Sequence, residues 1–227
     1  MGVKVMVVMP VYNEKGRVVR VIKRILKEYK LEVVVVDDGS TDDSFDILKR
    51  NFGKEKRVYL LRHILNLGKG AAMKTGVRMV KKIKGEAVLF VDSDGQHNPK
   101  QIREFLKEIE KFDLVFGYRD VGNRMPRVRR WGNLIAKKIV KTLFGIERKD
   151  MLCGFFAFKM SVFPKIRWKS SRYGVETEIA VRVVKSGLCF KEIKVDTIYI
   201  NKYKGVSIFD AVRILMRLPY WYFGIKK

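Results

Sequence analysis

Two aspartates separated by one residue, Asp92-Ser93-Asp94, follow the apolar run Val88-Leu89-Phe90-Val91. An unbroken apolar run suits a strand buried on both faces, and side chains two apart in an extended segment point to the same side. Two carboxylates placed in this way repel each other. A hard divalent cation shared with a diphosphate would relieve that cost, since Mg2+ and Mn2+ prefer oxygen ligands and are commonly held by one or two carboxylates plus substrate phosphates. An exposed polar turn would also produce a lone Asp-X-Asp. The strand before it, and Gly95-Gln96-His97 after it, favour a metal site at Asp92 and Asp94.

A second acidic group, Asp37-Asp38-Gly39-Ser40, also ends an apolar run. Ser, Thr and Asp suit a helix N-cap there, and a carboxylate in the same place could accept N–H groups of a nucleobase. Arg62, Asn66, Gly68, Lys69 and Gly70 stand before Ala71-Ala72. Small residues and a lysine at a helix start can receive phosphate oxygens. His63 and His97 are the only histidines; local structural roles are expected of both. Cys153 and Cys189 are far apart and lack metal-ligand spacing, which fits a reducing compartment rather than a disulfide framework.

The elements that must position these groups alternate. Strands are expected over 3–9, 32–36, 58–61, 87–91 and 114–118. Between them lie a helix with Val18, Val21, Ile22, Ile25, Leu26 and Tyr29 at helical spacing, and helices over about 43–52 and 68–83. Pro99 opens a further helix. Alternation with short connections predicts an open, Rossmann-like α/β sheet that is mostly parallel and flanked by helices. Ligands of such sheets sit beyond the carboxyl ends of the strands, where the polar motifs fall.

The chain has 227 residues and carries 49 Lys plus Arg against 24 Asp plus Glu, a net charge of +25. Such an excess implies an anionic partner: nucleic acid, an anionic bilayer or a phosphate-rich substrate. A helix is expected over about 127–144, with Trp131, Leu134, Ile135, Ile139 and Leu143 on its apolar side. Nine Lys or Arg and one acid, Glu147, lie between 124 and 149. Residues 206–227 form a second amphipathic segment ending in Tyr220-Trp221-Tyr222-Phe223. Basic faces opposite aromatic and aliphatic ones suit interfacial helices, although packing on a core explains most such patterns. No stretch of 18 uncharged apolar residues occurs, so no transmembrane helix is expected. Peripheral association with the cytoplasmic face of a membrane is expected instead.

In order along the chain, Pro10-Val11-Tyr12-Asn13-Glu14, Asp37-Asp38-Gly39-Ser40-Thr41-Asp42, Asn66-Leu67-Gly68-Lys69-Gly70-Ala71-Ala72, Asp92-Ser93-Asp94-Gly95-Gln96-His97-Asn98-Pro99 and Cys153-Gly154-Phe155-Phe156-Ala157-Phe158 after Asp150 resemble glycosyltransferase family 2. Within it they are most similar to the dolichyl-phosphate mannose and glucose synthases. The resemblance covers roughly residues 3 to 180, and five motifs in family order are far more specific than any one.

It implies a GT-A fold over about 1–205, including the basic helix, with 206–227 appended as a C-terminal segment. It also implies an inverting transfer from a UDP- or GDP-linked sugar to a polyprenyl or dolichyl phosphate at an anionic membrane surface, with Mg2+ or Mn2+ as cofactor. Pro10, Tyr12 and Glu14 would line the nucleoside pocket, and Asp37 or Asp38 would read the base. Asp92 and Asp94 would hold the metal on the sugar diphosphate, with Gln96 close by and Lys69 at the phosphates. Arg119 would meet phosphate of the donor or the acceptor. The family places Glu176 and Glu178 near the sugar or acceptor; a lipid phosphate, arriving anionic, would also need cations, which Arg129, Arg130 and Lys202 or Lys204 could supply beside Arg119. Lacking transmembrane helices after about Phe223, the chain departs from many relatives, which keeps a soluble sugar or glycan acceptor open as an alternative.

A basic non-catalytic protein binding membranes or nucleic acid would explain the charge. It would leave acidic strand ends unexplained, and no zinc-finger spacing or RNA-binding aromatic motif is present, so no nucleic-acid partner is expected. A nucleotidyltransferase would want a glycine-rich basic signature after the first strand, where Tyr12-Asn13-Glu14 stands.

Overall fold

The structure, a computed structural model, describes residues 2–119, 148–172 and 174–196, together with 138, 141, 142 and 145. Arg129, Arg130, Lys202, Lys204, most of the helix expected over 127–144 and the whole segment 206–227 lie outside the described residues. Lys138, Lys141 and Thr142, which are described, are helical.

The chain runs β1 (Val5–Val11), α1 (Val18–Glu28), β2 (Glu32–Asp37), α2 (Ser44–Phe52), β3 (Val58–Arg62), α3 (Lys69–Lys82), β4 (Ala87–Phe90), α4 (Ile102–Glu108) and β5 (Leu114–Arg119). After the basic region come β6 (Phe156–Lys159), α5 (Phe163–Ile166), α6 (Val175–Lys185) and β7 (Phe190–Val195). The strands form one seven-stranded sheet in the order β3-β2-β1-β4-β6-β5-β7. β1, β2, β3 and β4 pair in parallel, as do β5 and β7; β6 alone runs antiparallel, between β4 and β5.

Alternation along the strands divides the core into two layers. Val7, Met9, Val33, Val35 and Leu89 face Ile22 and Ile25 of α1, Leu48 of α2 and Phe105 of α4. Met6, Val8, Val34, Val36 and Val88 face Met73, Val77 and Val80 of α3 and Ile179 of α6. Helix α3 lies tight against β1, because a Cβ on Gly76 would stand 2.3 Å from Val8 Cγ1. Both faces covered by helices account for the unbroken apolar runs that the parallel strands show in sequence.

The five expected strands are present within two residues of their expected ends. Pro99 opens a 3-10 turn, Pro99–Gln101, before α4 begins, and the Asn98 side chain accepts the Lys100 N–H. The antiparallel β6 was not expected. Its insertion has a direct consequence for the site: a strand running against its neighbours starts where they end. The turn Cys153-Gly154-Phe155 therefore arrives at the carboxyl edge, beside the end of β4. No helix among the described residues is long and apolar enough to cross a membrane.

Candidate functional site

The turns after β1 and β2 are laced together. The Asn13 N–H donates to Ser40 Oγ (3.0 Å), the Glu14 N–H donates to Ser44 Oγ (2.9 Å), and Asn13 Oδ1 accepts the Thr41 N–H (2.9 Å). Asn13 adopts a positive φ of 54°, a conformation that short polar residues tolerate. This clasp leaves Pro10 half-buried, Tyr12 exposed and the Glu14 carboxylate 3.6 Å from Arg17.

The paired aspartates after β2 have different environments. Asp38 Oδ1 accepts from His63 Nδ1 (2.7 Å) and the Leu67 N–H (3.1 Å), and Oδ2 from the Gly68 N–H (2.7 Å). His63 is held on its other side by Thr75 Oγ1 at 2.9 Å. Asp38 is thus engaged in fixing the loop between β3 and α3. Asp37 is fully buried; its Oδ1 accepts the Ser40 N–H and lies 3.6 Å from Arg62 Nε, while its Oδ2 has no hydrogen-bond partner. A buried acceptor without a donor is costly, and among the described residues Asp37 is the member of the pair that carries one.

At the end of β4 the charges converge. Lys69, the first residue of α3, places Nζ 2.7 Å from Asp92 Oδ1 and 2.9 Å from Glu176 Oε1. Burial pushes the Lys69 ammonium down, but Asp92 and Glu176 more than reverse this and hold it charged. Burial likewise pushes the Asp92 carboxyl up, and Lys69 and His97 override it to leave Asp92 well below its ordinary value. Asp94 goes the other way. Burial and the adjacent Asp92 charge both raise it, although its oxygens accept the Gln96 N–H (2.9 Å) and Nε2–H (2.8 Å). His97 accepts the Asp92 N–H at Nδ1 (3.2 Å) and stacks on Phe155, with 4.7 Å between ring centroids. Burial lowers its pKa, against the opposing pull of Asp92 and Asp94.

Gly154 passes directly over the Lys69–Asp92 pair. A Cβ there would lie 2.7 Å from Lys69 Nζ and 2.9 Å from Asp92 Oδ2. Two close carboxylates, one of them driven towards its neutral form by the other, suit a hard cation that would relieve the repulsion. Among the described residues no group of three or more His, Cys, Asp and Glu could hold a metal ion. A cation at Asp92 and Asp94 would therefore need substrate oxygens as well, which is how Mg2+ is commonly bound.

Arg119, at the end of β5, is gripped by the fully buried Asp150: Nε to Oδ2 at 2.6 Å and Nη2 to Oδ1 at 3.1 Å, a bidentate pair. Its charge is close enough to Asp92 to help hold that carboxyl down. Nearby, buried Arg148 lies over the Phe116 ring at 3.7 Å and donates to Glu192. Glu176 and Glu178 separate in function. Glu176 faces Lys69, whereas Glu178 is fully buried and accepts from the Lys169 and Ser170 N–H groups (both 2.8 Å), Ser170 Oγ (2.6 Å) and Arg182. Glu178 thus shapes the 168–171 turn, which docks on α3 through Trp168 Nε1–H donating to Gly70 O at 2.9 Å.

Pro10, Tyr12, Glu14, Asp37, Lys69, Asp92, Asp94, Gln96 and Arg119 all follow carboxyl ends of β1, β2, β3, β4 or β5, or close those strands. Asp150, Trp168 and Ser170 were given no role from sequence. Asp150 pairs with Arg119 31 residues away and Trp168 with Gly70 98 residues away, and no local pattern signals such pairs; Ser170 meets Glu178 across 8 residues, through a turn that the sequence does not announce.

The Arg119–Asp150 pair has a pH signature. Burial raises the Asp150 carboxyl, but Arg119 and the Leu152 and Arg119 N–H groups pull it below its ordinary 3.8. A folded-state value below the unfolded one stabilises above the unfolded pKa and is lost as pH falls through the folded one. Wild-type protein should lose stability on acidification from about pH 5 to pH 2, and Asp150→Asn should show a shallower loss over that window. Urea unfolding at a series of pH values measures the difference; identical slopes would contradict it.

Residues 6–167 match Glycosyl transferase family 2. An uncharacterised protein of Methanocaldococcus jannaschii is 33% identical over 225 residues, spanning 95% of this chain and 90% of that protein. The UDP-N-acetylglucosamine–dolichyl-phosphate N-acetylglucosaminyltransferase of Methanococcus voltae is 25% identical over 233 residues, spanning 93% of each chain. In three dimensions the chain is similar to glucosyl-3-phosphoglycerate synthase of Mycobacterium tuberculosis, solved with Mn2+, UDP and phosphoglyceric acid. The TM-score is 0.75 at 19% identity, covering 100% of this chain and 80% of that one. The likeness is one of fold, and the fold is GT-A. With its motifs in family order and the match spanning most of its length, the chain belongs to glycosyltransferase family 2.

Proposed function

We propose that this chain moves a sugar from a UDP- or GDP-linked donor to a polyprenyl or dolichyl phosphate, at the cytoplasmic face of an anionic membrane. Residues 1–205 act as the catalytic domain, and the basic helix and residues 206–227 meet the membrane surface. The observation that carries the reading is the convergence of Asp92, Asp94, Lys69 and Arg119 at the carboxyl edge. Family membership and the dolichyl-phosphate relative supply the reaction class.

Asp37 or Asp38 reads the base, and Pro10, Tyr12 and Glu14 flank the nucleoside. Asp92 and Asp94 would hold Mg2+ or Mn2+, which would supply Lewis-acid stabilisation of the charge on the leaving diphosphate. Gln96 keeps the Asp94 carboxylate oriented. Arg119, fixed by Asp150, presents positive charge to phosphate, and Arg129, Arg130 and Lys202 position the acceptor phosphate. An acceptor oxygen attacks the anomeric carbon as the bond to the diphosphate breaks on the opposite side, inverting the centre.

A phosphate acceptor also fits the proton chemistry. A hydroxyl needs a general base within hydrogen-bond reach, and both histidines are committed, His63 between Asp38 and Thr75 and His97 against Asp92 and Phe155. A phosphate monoester, with a second pKa of about 6, arrives already anionic.

The test is transfer of label from a panel of UDP- and GDP-sugars into the organic phase with polyprenyl or dolichyl phosphate. Label should appear only with metal, disappear with chelator, and fall by about a thousandfold or more in Asp94→Ala, on the scale of losing electrostatic stabilisation of the leaving group. Gly154→Ala, whose methyl would displace Lys69 and Asp92, should lose about a hundredfold while remaining folded. Nucleoside diphosphate release without labelled lipid would remove the lipid acceptor and keep the transferase. Turnover independent of Asp94 and metal would overturn the assignment of the site.

A further inference from the structure

Lys69 Nζ sits 2.7 Å from Oδ1 of Asp92, a carboxylate read above as a metal ligand, and 2.9 Å from Glu176 Oε1. An ammonium and a divalent cation on the same carboxylate oxygen repel each other at close range, in surroundings that screen poorly because Glu176 and Lys69 are largely buried. Both Asp92 oxygens lie beneath Gly154, Oδ2 2.9 Å and Oδ1 3.3 Å from where a Cβ would stand, and His97 Nε2 lies 3.6 Å from Oδ2. The backbone at the start of α3 is pinned by Trp168 donating to Gly70 O and by the Ala71 N–H donating to Ser171 O at 3.1 Å. The lysine can therefore move only by its flexible four-carbon stem.

We propose that Lys69 is a displaceable counter-ion: it closes the metal site at Asp92 while no donor is present, and it yields that oxygen when a diphosphate arrives with the metal. This rests on the reading of Asp92 and Asp94 as metal ligands. Glu176 is the holding partner, keeping the ammonium in the site once it leaves Asp92. The incoming diphosphate supplies new oxygens for the same ammonium, so Lys69 exchanges one anionic partner for another and its charge is never left bare. The consequence is coupling: metal alone binds poorly, and metal and nucleoside diphosphate bind together. Lys69 is a positioning residue in this scheme, and its effect is on the order and affinity of loading.

The experiment is Mn2+ titration of the full chain, read by the EPR signal of free Mn2+, without nucleotide and with UDP or GDP in parallel. Wild type should bind Mn2+ weakly alone and about tenfold or more tightly with the nucleotide of its donor. Lys69→Met leaves Asp92 and Glu176 without their cation, so it should bind Mn2+ alone about tenfold more tightly than wild type and lose most of the coupling. Glu176→Gln should shift the other way, weakening binding of Mn2+ alone, because the ammonium then has only Asp92 to hold. Circular dichroism confirms folding, and the opposed shifts keep the test decisive if one variant is unstable. Equal Mn2+ affinity in wild type and Lys69→Met, with nucleotide-dependent binding intact, would overturn the counter-ion role and leave the metal ligands standing. Wild-type Mn2+ affinity in Asp92→Asn with nucleotide present would remove the metal reading itself, and this inference with it.

Discussion

Three acidic groups, Asp92, Asp94 and Glu176, meet at one edge of the sheet, and the ammonium of Lys69 stands between two of them. Burying a carboxylate without compensation costs several kcal/mol, so this edge can exist only if α3 begins where it does. That start is held from several sides. Asp38 secures the Gly68 N–H, and the 168–171 turn, shaped by Glu178, docks on Gly70 and Ala71. Gly154 leaves the clearance that lets the pair form. Residues more than a hundred positions apart thus serve one charge arrangement, and much of the polar network of the described chain can be traced to it.

The same arrangement explains how an acidic site functions in a chain of net charge +25. The carboxylates are matched locally, Asp92 by Lys69 and Asp150 by Arg119. The wider excess of Lys and Arg therefore remains available to draw anionic ligands toward the edge. Local acid and global base do not conflict, because the acids are already paired and the distant cations act over longer range.

Much of the parallel half of the sheet was legible from the chain. Each of β1 to β5 is an apolar run closed by polar residues, and burial on both faces writes that pattern directly into sequence. The polar groups at the strand ends were legible for the same reason. β6 was not, because Phe156–Lys159 is short and sits inside a stretch that reads equally as a loop. The division of labour between Asp37 and Asp38 was also invisible. Two adjacent carboxylates look alike in sequence, and only the arrival of His63, Leu67 and Gly68 commits one of them. Glu176 and Glu178 separate for a similar reason, since the ligands of each come from different parts of the chain. Local pattern reports burial and turn chemistry; it does not report which distant group will satisfy a charge.

The most direct test of the account is a crystal structure with Mn2+ and the nucleoside diphosphate of the donor, with diffraction data collected at the manganese absorption edge. An anomalous peak should lie within about 2.0–2.3 Å of oxygens from Asp92 or Asp94 and from the diphosphate. A base N–H should lie on Asp37 or Asp38, and Lys69 Nζ should have moved from Asp92 to phosphate. A peak away from both aspartates, or a nucleotide bound elsewhere than beyond the ends of β1, β2 and β4, would contradict it.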